Sequence, residues 1–342
     1  MATAEQIRGM LLEESLLYLL RSSGYKTVEK AGTDPTLSDG AAGLEVKGRG
    51  ERHQIDAVAD FIFAPPFSHP QRLLVEAKCF DLKKRVGLPV LRNAVGVLKD
   101  VSENWFSANN SSIPKHRYHY QFAIFSASGF TAEAQRYAFA HDIYLIPLEN
   151  AGETQRLVNQ IYEIIDNEYV ERFKREQIPL KELRNRVRKK LKAGSAGSNQ
   201  PDFSDDLREL LSGVTPALEL CRDIGQGFLV VLSQRFPVFL TPSPDFSIED
   251  LNEAGPITIH YRGTTWYIKS IGDKDLFTFD IPRGLFNLYS EEGLLTQRAA
   301  LNMKSELFDQ IDIFYFSDEG RAQIWRLSLN TDWLNALRQG VE

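Results

Sequence analysis

Residues 48–100 hold the side chains with the most chemistry in them: GRGERHQIDAVADFIFAPPFSHPQRLLVEAKCFDLKKRVGLPVLRNAVGVLKD. The centre of this stretch, Leu73 to Phe80, has the length and composition of a strand. Side chains alternate across a strand, so Val75, Ala77 and Cys79 point to one face and Glu76 and Lys78 to the other. The first face is apolar and belongs in a core. The second places a carboxylate and an ammonium in an otherwise apolar strand, and unpaired charges there cost several kcal/mol unless they find partners or a task. Upstream, His53 to Phe63 alternates in the same way, with Ile55, Ala57, Ala59 and Phe61 on one side and Gln54, Asp56 and Val58 on the other. If the two runs pair in one sheet, Asp56 lies beside Glu76, with Lys78 about two residues away. Two such carboxylates make a hard-oxygen site suited to Mg²⁺, and the neighbouring amine can orient a water or steady charge on a phosphate. The plain alternative is a structural Glu76–Lys78 ion pair with Asp56 on a turn.

The order of these pieces resembles the PD-(D/E)xK nuclease superfamily: a glutamate in a first helix, then I-D, then V-E-A-K. Within it the sequence is most similar to the Mrr-like restriction endonuclease family. LEESLLYLLRSSGY, GRGERHQID and FAIFSASGFTAEAQRYAFAHDIYLIPL match that family in order, the last resembling its strand–GF(T)–helix–strand ending. The likeness spans roughly residues 5–148, and the run HQID stands where many Mrr-like proteins carry glycine and aspartate. It implies an α/β restriction-endonuclease-like domain, a mixed sheet flanked by helices. It implies a metal-dependent endonuclease that hydrolyses DNA and leaves 5′-phosphates. Asp56, Glu76, Lys78 and Glu13 would be catalytic. Asp56, Glu76, the Ala77 carbonyl and Glu13 would surround Mg²⁺, with Mn²⁺ able to substitute. Restriction or anti-phage defence is the implied setting. A repair or junction-resolving nuclease, or a non-catalytic DNA-binding protein on the same fold, would share these residues.

The flanking elements must position this group. Thr3 to Ser23 reads as a helix, with Thr3 and Gln6 forming a capping box and Gly24 at its C-terminal end. Glu13 falls on the leucine stripe, beside Met10, Leu16, Leu17 and Leu20, whereas Glu14 lies nearer its edge. Both glutamates in solvent is the alternative. Residues 30–52 read as loop, short strand and loop, where Gly48 and Gly50 suit close backbone approach to a phosphate or a plain turn. His53 is a candidate for substrate contact or proton transfer and Gln54 for substrate contact, and a surface histidine at a strand start is the alternative. Lys83, Lys84 and Arg85 form a cationic loop that could hold a DNA backbone or simply be solvated. Pro89 opens a helix to about Glu103, with Arg92 and Asn93 near its start as further phosphate contacts. Residues 119–127 read as a strand, Thr131 to His141 as a helix and Ile143 to Leu148 as a strand, which together require a parallel crossover. Ser126 and Ser128 read as turn residues, since no His–acid pairing accompanies them.

At 342 residues the chain is long enough for two cores. Its composition is that of an ordinary globular protein, and two cysteines make no disulfide framework and point to a reducing compartment. The start is not a signal peptide and no run is long enough to span a bilayer, so a cytoplasmic location is the expectation. Charge is uneven: residues 1–150 are neutral, 151–192 carry +4 and 193–342 carry −10, within a total of −6. A polyanion would be drawn to the first 192 residues.

Residues 151–192 read as a basic helical connector broken near Pro179. Its KELRNRVRKKLK (Lys181 to Lys192) suits a DNA backbone, an acidic partner or solvent. Residues 193–205, AGSAGSNQPDFSD, read as a flexible linker, and 206–342 as an acidic α+β domain with no chemical motif. That domain opens with a helix from Asp206 to about Arg222 and includes another from about Ser290 to Gln310. Trp266, Tyr267, Phe277 and Phe279 suit core and sheet surface better than base stacking, because the local charge opposes nucleic acid. A regulatory, partner-binding or oligomerisation role is the expectation for it. One catalytic site cuts one strand, so double-strand cleavage calls for a homodimer, a larger oligomer or repeated engagement.

Overall fold

The computed structural model describes residues 2–41, 43–64, 66–103, 118–149, 152–192, 205–233, 236–262, 265–281, 289, 296–316 and 322–340. The chain divides into two units, residues 1–149 with 155–225 and residues 150–154 with 226–342.

The first unit begins with α1 (Ala4–Ser22), whose Thr3 hydroxyl accepts from the Gln6 N–H while the Gln6 side chain accepts from the Thr3 N–H. The capping box therefore forms as the sequence implies. Gly24, at φ +84°, turns the chain into β1 (Tyr25–Val28). Next come β2 (Leu37–Asp39), β3 (Leu44–Lys47) and β4 (Arg52–Gln54), a small antiparallel sheet of their own. The main sheet has the order β1, β5 (Ala57–Phe61), β6 (Gln71–Lys78), β7 (His119–Ser126) and β8 (Ile143–Pro147). Its first three strands are antiparallel and β6, β7 and β8 are parallel. The parallel pairs are joined through α2 (Leu88–Ser102) and α3 (Ala132–Ala140), the crossovers that the strand–helix–strand pattern demands.

Leu12, Leu16, Leu17 and Leu20 of α1 pack on Ala57, Ala59, Leu73, Val75 and Phe125. On the other face Leu91, Ala94 and Val95 of α2 and Ala134 and Ala138 of α3 pack on Val58, Leu74, Phe122 and Ile124. Two differences from the sequence expectation bear on the site. The run His53 to Phe63 is not one strand. Ile55 still bonds to β3, its N–H donating to the Leu44 carbonyl at 3.1 Å, and the chain joins β5 only at Ala57. Ile55 consequently shares a core with Val58, whereas Ala57 and Ala59 lie in the other.

The second difference concerns the domain boundary. Behind α1 the chain forms α4 (Gly152–Ile164), α5 (Asn167–Arg175), α6 (Leu180–Lys192) and α7 (Asp205–Ile224). Residues 193–204, most of the expected linker, lie outside the described residues. The helix after them belongs to the first unit rather than opening the second. Its Leu210, Val214, Leu218 and Cys221 are buried, Tyr169 of α5 donates to the Leu210 carbonyl at 3.1 Å, and the Cys221 thiol bonds to the Ser15 carbonyl at 3.6 Å. An apolar stripe that long needs a partner, and α1, α5 and α6 supply it.

The second unit is α+β. Strands β9 (Phe228–Val231), β10 (Pro237–Pro242), β11 (Thr258–Arg262), β12 (Thr265–Lys269) and β13 (Asp275–Phe279) make an antiparallel sheet in the order β11, β12, β13, β10, β9. A short α8 (Asp250–Glu253), α9 (Gln297–Leu307), the hairpin β14 (Gln310–Phe316) and β15 (Ala322–Ser328), and α10 (Thr331–Gln339) complete it. Residues 290–295, where the sequence placed the start of α9, lie outside the described residues. Trp266, Phe277 and Phe279 are core residues, with the Phe308 ring packed at a tilt against Trp266 and Phe279. Among the described residues no helix is long and apolar enough to cross a membrane.

Candidate active site

The C-terminal end of β6 brings the acidic residues together. The β5–β6 ladder ends at Ala57 opposite Val75, so the Ala77 N–H lies beyond the last residue of β5. The carboxylate of Asp56, between the two sheets, takes that donor: Ala77 N–H donates to Asp56 Oδ2 at 2.8 Å. This fixes Asp56 next to Glu76, whose Oε1 pairs with the Lys78 ammonium two residues along the same face. Glu13 approaches from α1, its Oε2 accepting from Arg184 Nη2 at 2.7 Å.

The carboxyls sit in little water and act on one another. Burial pushes the Glu13 carboxyl up from 4.5 to about 7, with the charges of Asp56 and Glu14 adding to the rise against Arg184. Burial also raises Asp56, against the Ala77 N–H and the charges of Lys78 and Arg184. Glu76 is raised by burial and by Asp56, with Lys78 opposing. Desolvated acids that repel each other beside an amine are an arrangement that stability alone does not favour. Among the described residues, however, no three carboxylate, imidazole or thiolate side chains are close enough to hold a metal ion by themselves.

Of the two first-helix glutamates, Glu14 rather than Glu13 is fully buried. Its carboxylate receives a two-bond fork from Arg188, Nε to Oε2 and Nη2 to Oε1, both at 2.7 Å. Glu13 keeps 16% of its side-chain surface exposed and is the one on which the charge of Asp56 acts. Helix α6, whose cations the sequence leaves to a DNA backbone, an acidic partner or solvent, spends five of its seven cations internally. Arg184 and Arg188 hold Glu13 and Glu14, Arg186 holds Glu182, Lys190 holds Thr215, and Lys192 holds Glu29.

The remaining candidates divide by location. His53 lies on β4, where its Nε2 meets Asp100 Oδ2 of α2 at 2.8 Å. Asp100 also accepts from the Gly50 N–H at 2.8 Å and the Glu51 N–H at 3.2 Å, and these bonds hold its carboxyl below the usual range against the effect of burial. A Cβ on Gly48 would come within 1.9 Å of the same carboxylate. The glycine-containing turn is thus shaped around Asp100. Gln54 is exposed. Lys83 and Lys84 are exposed on the loop after β6, Lys84 reaching over the Phe80 ring, and Arg92 and Asn93 are exposed on the first turns of α2. Ser126, expected in a turn, is the last residue of β7, and Ser128 lies in the turn after it; both are buried, donating to the Gly129 and Lys84 carbonyls at 3.0 and 2.7 Å. Arg72 shares the face of Glu76 and escaped the sequence reading. It is 1% exposed, bonded to Asp60, Asp34 and Thr36, and packed 3.6 Å from the Tyr118 ring centre.

No protein-family model matches the chain, and no curated protein matches it. The crystal structure of a protein of unknown function, AF1548, aligns with 63% of this chain and 98% of its own length, at 17% identity and a TM-score of 0.32. A likeness at that score carries neither fold nor function to this chain.

Proposed function

We propose that residues 1–150 form a PD-(D/E)xK nuclease domain of the Mrr-like kind, an Mg²⁺-dependent endonuclease that hydrolyses DNA phosphodiesters in restriction or anti-phage defence. One observation carries this reading: the Asp56 carboxylate bonds to the Ala77 N–H, which sets two mutually repelling acids and the Lys78 amine at one strand end. The donor set fits a hard divalent cation. Asp56, Glu76 and the Ala77 carbonyl would hold Mg²⁺ together with water, and Glu13 would support the ion or one of its waters. A bound cation supplies Lewis-acid stabilisation of a phosphate and lowers the pKa of a bound water. The protein's own groups do the rest. The Ala77 N–H fixes the orientation of Asp56, and Lys78 sits where it can position an attacking water and stabilise charge on a non-bridging oxygen. Exposed Lys83, Lys84, Arg92 and Asn93 follow the site strand in sequence and suit contacts to a DNA backbone.

The test is cleavage of methylated and unmethylated supercoiled plasmid, with linear and branched DNA alongside, in Mg²⁺, Mn²⁺ or EDTA. The reading expects metal-dependent nicking or linearisation that Asp56→Asn and Lys78→Ala abolish. Preference for branched DNA would place the protein in repair. Equal cutting by parent and both variants would exclude this site.

A further inference from the structure

Helix α6 lies outside the main sheet and its flanking helices α2 and α3, yet it delivers a cation to the acidic group. Arg184, Arg188 and Lys192 recur every four residues and form one stripe, which meets Glu13, Glu14 and Glu29 in turn. Beside it Leu183, Val187 and Leu191 are buried, so α6 is fixed in register against its neighbours. The two arginines are not equivalent. Arg188 grips a carboxylate with no exposed surface through two bonds, the geometry of a permanent structural pair. Arg184 makes one short contact to Glu13, stands 4.0 Å from Glu14, and leaves a third of its side chain (33%) exposed. The Asp56 charge acts on its partner Glu13, and the charge of Arg184 acts on Asp56.

We propose that Arg184 is an internal counter-ion of the site, the cation that Glu13 gives up when a divalent metal arrives. The inference rests on the nuclease reading and adds a regulation to it. Without a metal, the carboxylates of Glu13, Asp56 and Glu76 repel one another, and Lys78 on Glu76 and Arg184 on Glu13 hold them in place. A divalent ion brings two positive charges to the same carboxylates, and the guanidinium then opposes it. Arg184 is therefore a positioning residue, acting on the metal through Glu13.

Removal of a merely structural arginine would weaken metal binding, whereas removal of a competing cation strengthens it. Isothermal titration with Ca²⁺ alone, at pH 8.5 on the full chain, separates the two. Arg184→Gln should bind Ca²⁺ at least about fivefold more tightly than the parent, and Arg184→Lys, which keeps the charge, within about twofold of it. Thermal midpoints without metal should stay within a few degrees for all three proteins. Unchanged or weaker binding by Arg184→Gln, or equal tightening by Arg184→Lys, overturns the counter-ion role. A parent that takes up no Ca²⁺, indistinguishable from Asp56→Asn, overturns the nuclease reading as well. A parent that binds while Arg184→Gln matches it overturns the counter-ion alone.

Discussion

The contact between Glu14 and Arg188 provides the strongest stability test. Glu14 has no exposed surface, and two bonds from Arg188 hold its carboxylate, with Arg184 4.0 Å away. Arg188→Met removes both bonds and leaves a carboxylate in a place that water does not reach. Stranding one member of a buried pair costs about 3–5 kcal/mol. The reverse change is milder. Glu14→Leu leaves Arg188 with 19% of its side chain exposed and Glu29 within 3.4 Å, so the guanidinium can turn to solvent at a cost of about 1–2 kcal/mol. The double replacement strands nothing and should cost about 1 kcal/mol or less, because an apolar pair of similar volume substitutes well for a buried ion pair.

Scanning calorimetry, together with urea unfolding followed by far-ultraviolet circular dichroism, would measure all three. For a unit of this size each kcal/mol moves the midpoint by about 2–4 °C, so Arg188→Met should lose about 6–20 °C and the double variant only a few degrees. The coupling energy between the two positions should exceed about 2 kcal/mol. A loss below about 1 kcal/mol for Arg188→Met, or a double variant as unstable as the worse single one, would refute the assignment of this pair as a buried structural clamp.

Four further outcomes follow from the structure. Asp56→Asn and Lys78→Ala should each lower the plasmid cleavage rate at least about a thousandfold with unchanged helix content, the order expected when several kcal/mol of charge stabilisation is removed. Glu13 titrates at about 7 when folded against 4.5 otherwise, so the folded protein binds its proton more tightly. The stability that Glu13 contributes is therefore present at pH 4.5 and is lost as pH rises to about 7, by at most about 3 kcal/mol; urea unfolding across that range should be flatter for Glu13→Gln than for the parent, and identical slopes would contradict the burial of this carboxyl. Asp100→Ala should destabilise the protein by about 1–3 kcal/mol by releasing the Gly50 and Glu51 amides and His53. His53→Ala should cleave plasmid like the parent, and a large loss of rate there would return His53 to the chemistry.

Much of the first unit is legible because its local signals agree with one another. Thr3 and Gln6 fix the start of α1, Pro89 the start of α2, and Thr131 caps α3 through the Ala134 N–H. Each such signal acts within one turn of chain. What escapes the sequence depends on distant partners. Buried leucines surround α1 on most sides, so the stripe that sets Glu13 inside and Glu14 at its edge misleads, and the choice is made by Arg188, 174 residues away. The linker after Lys192 reads as a boundary by composition, but composition cannot tell that the chain returns to the first unit, where Tyr169 and Ser15 wait for α7. Asp100 is equally hidden, since nothing on α2 marks it as the acceptor for a turn 50 residues earlier.

The break at Ile55–Asp56 shows how an unbroken period-two pattern can conceal the position that matters. Apolar residues at 55, 57, 59 and 61 read as one face of one strand. In the fold Ile55 completes the small sheet, Ala57 begins its place in the main one, and the two apolar side chains enter different cores. Asp56 therefore belongs to neither ladder. Its carboxylate is free to turn along β6 and satisfy the Ala77 N–H, which β5 no longer reaches. One carboxylate oxygen thus serves the fold, and under the proposed function the other would face the cation. The same division dictates how the site must be probed. Asp56→Ala would orphan the Ala77 amide and confound stability with activity. An asparagine can keep the amide bond through its side-chain oxygen while losing the charge, so its effect reports on the charge alone.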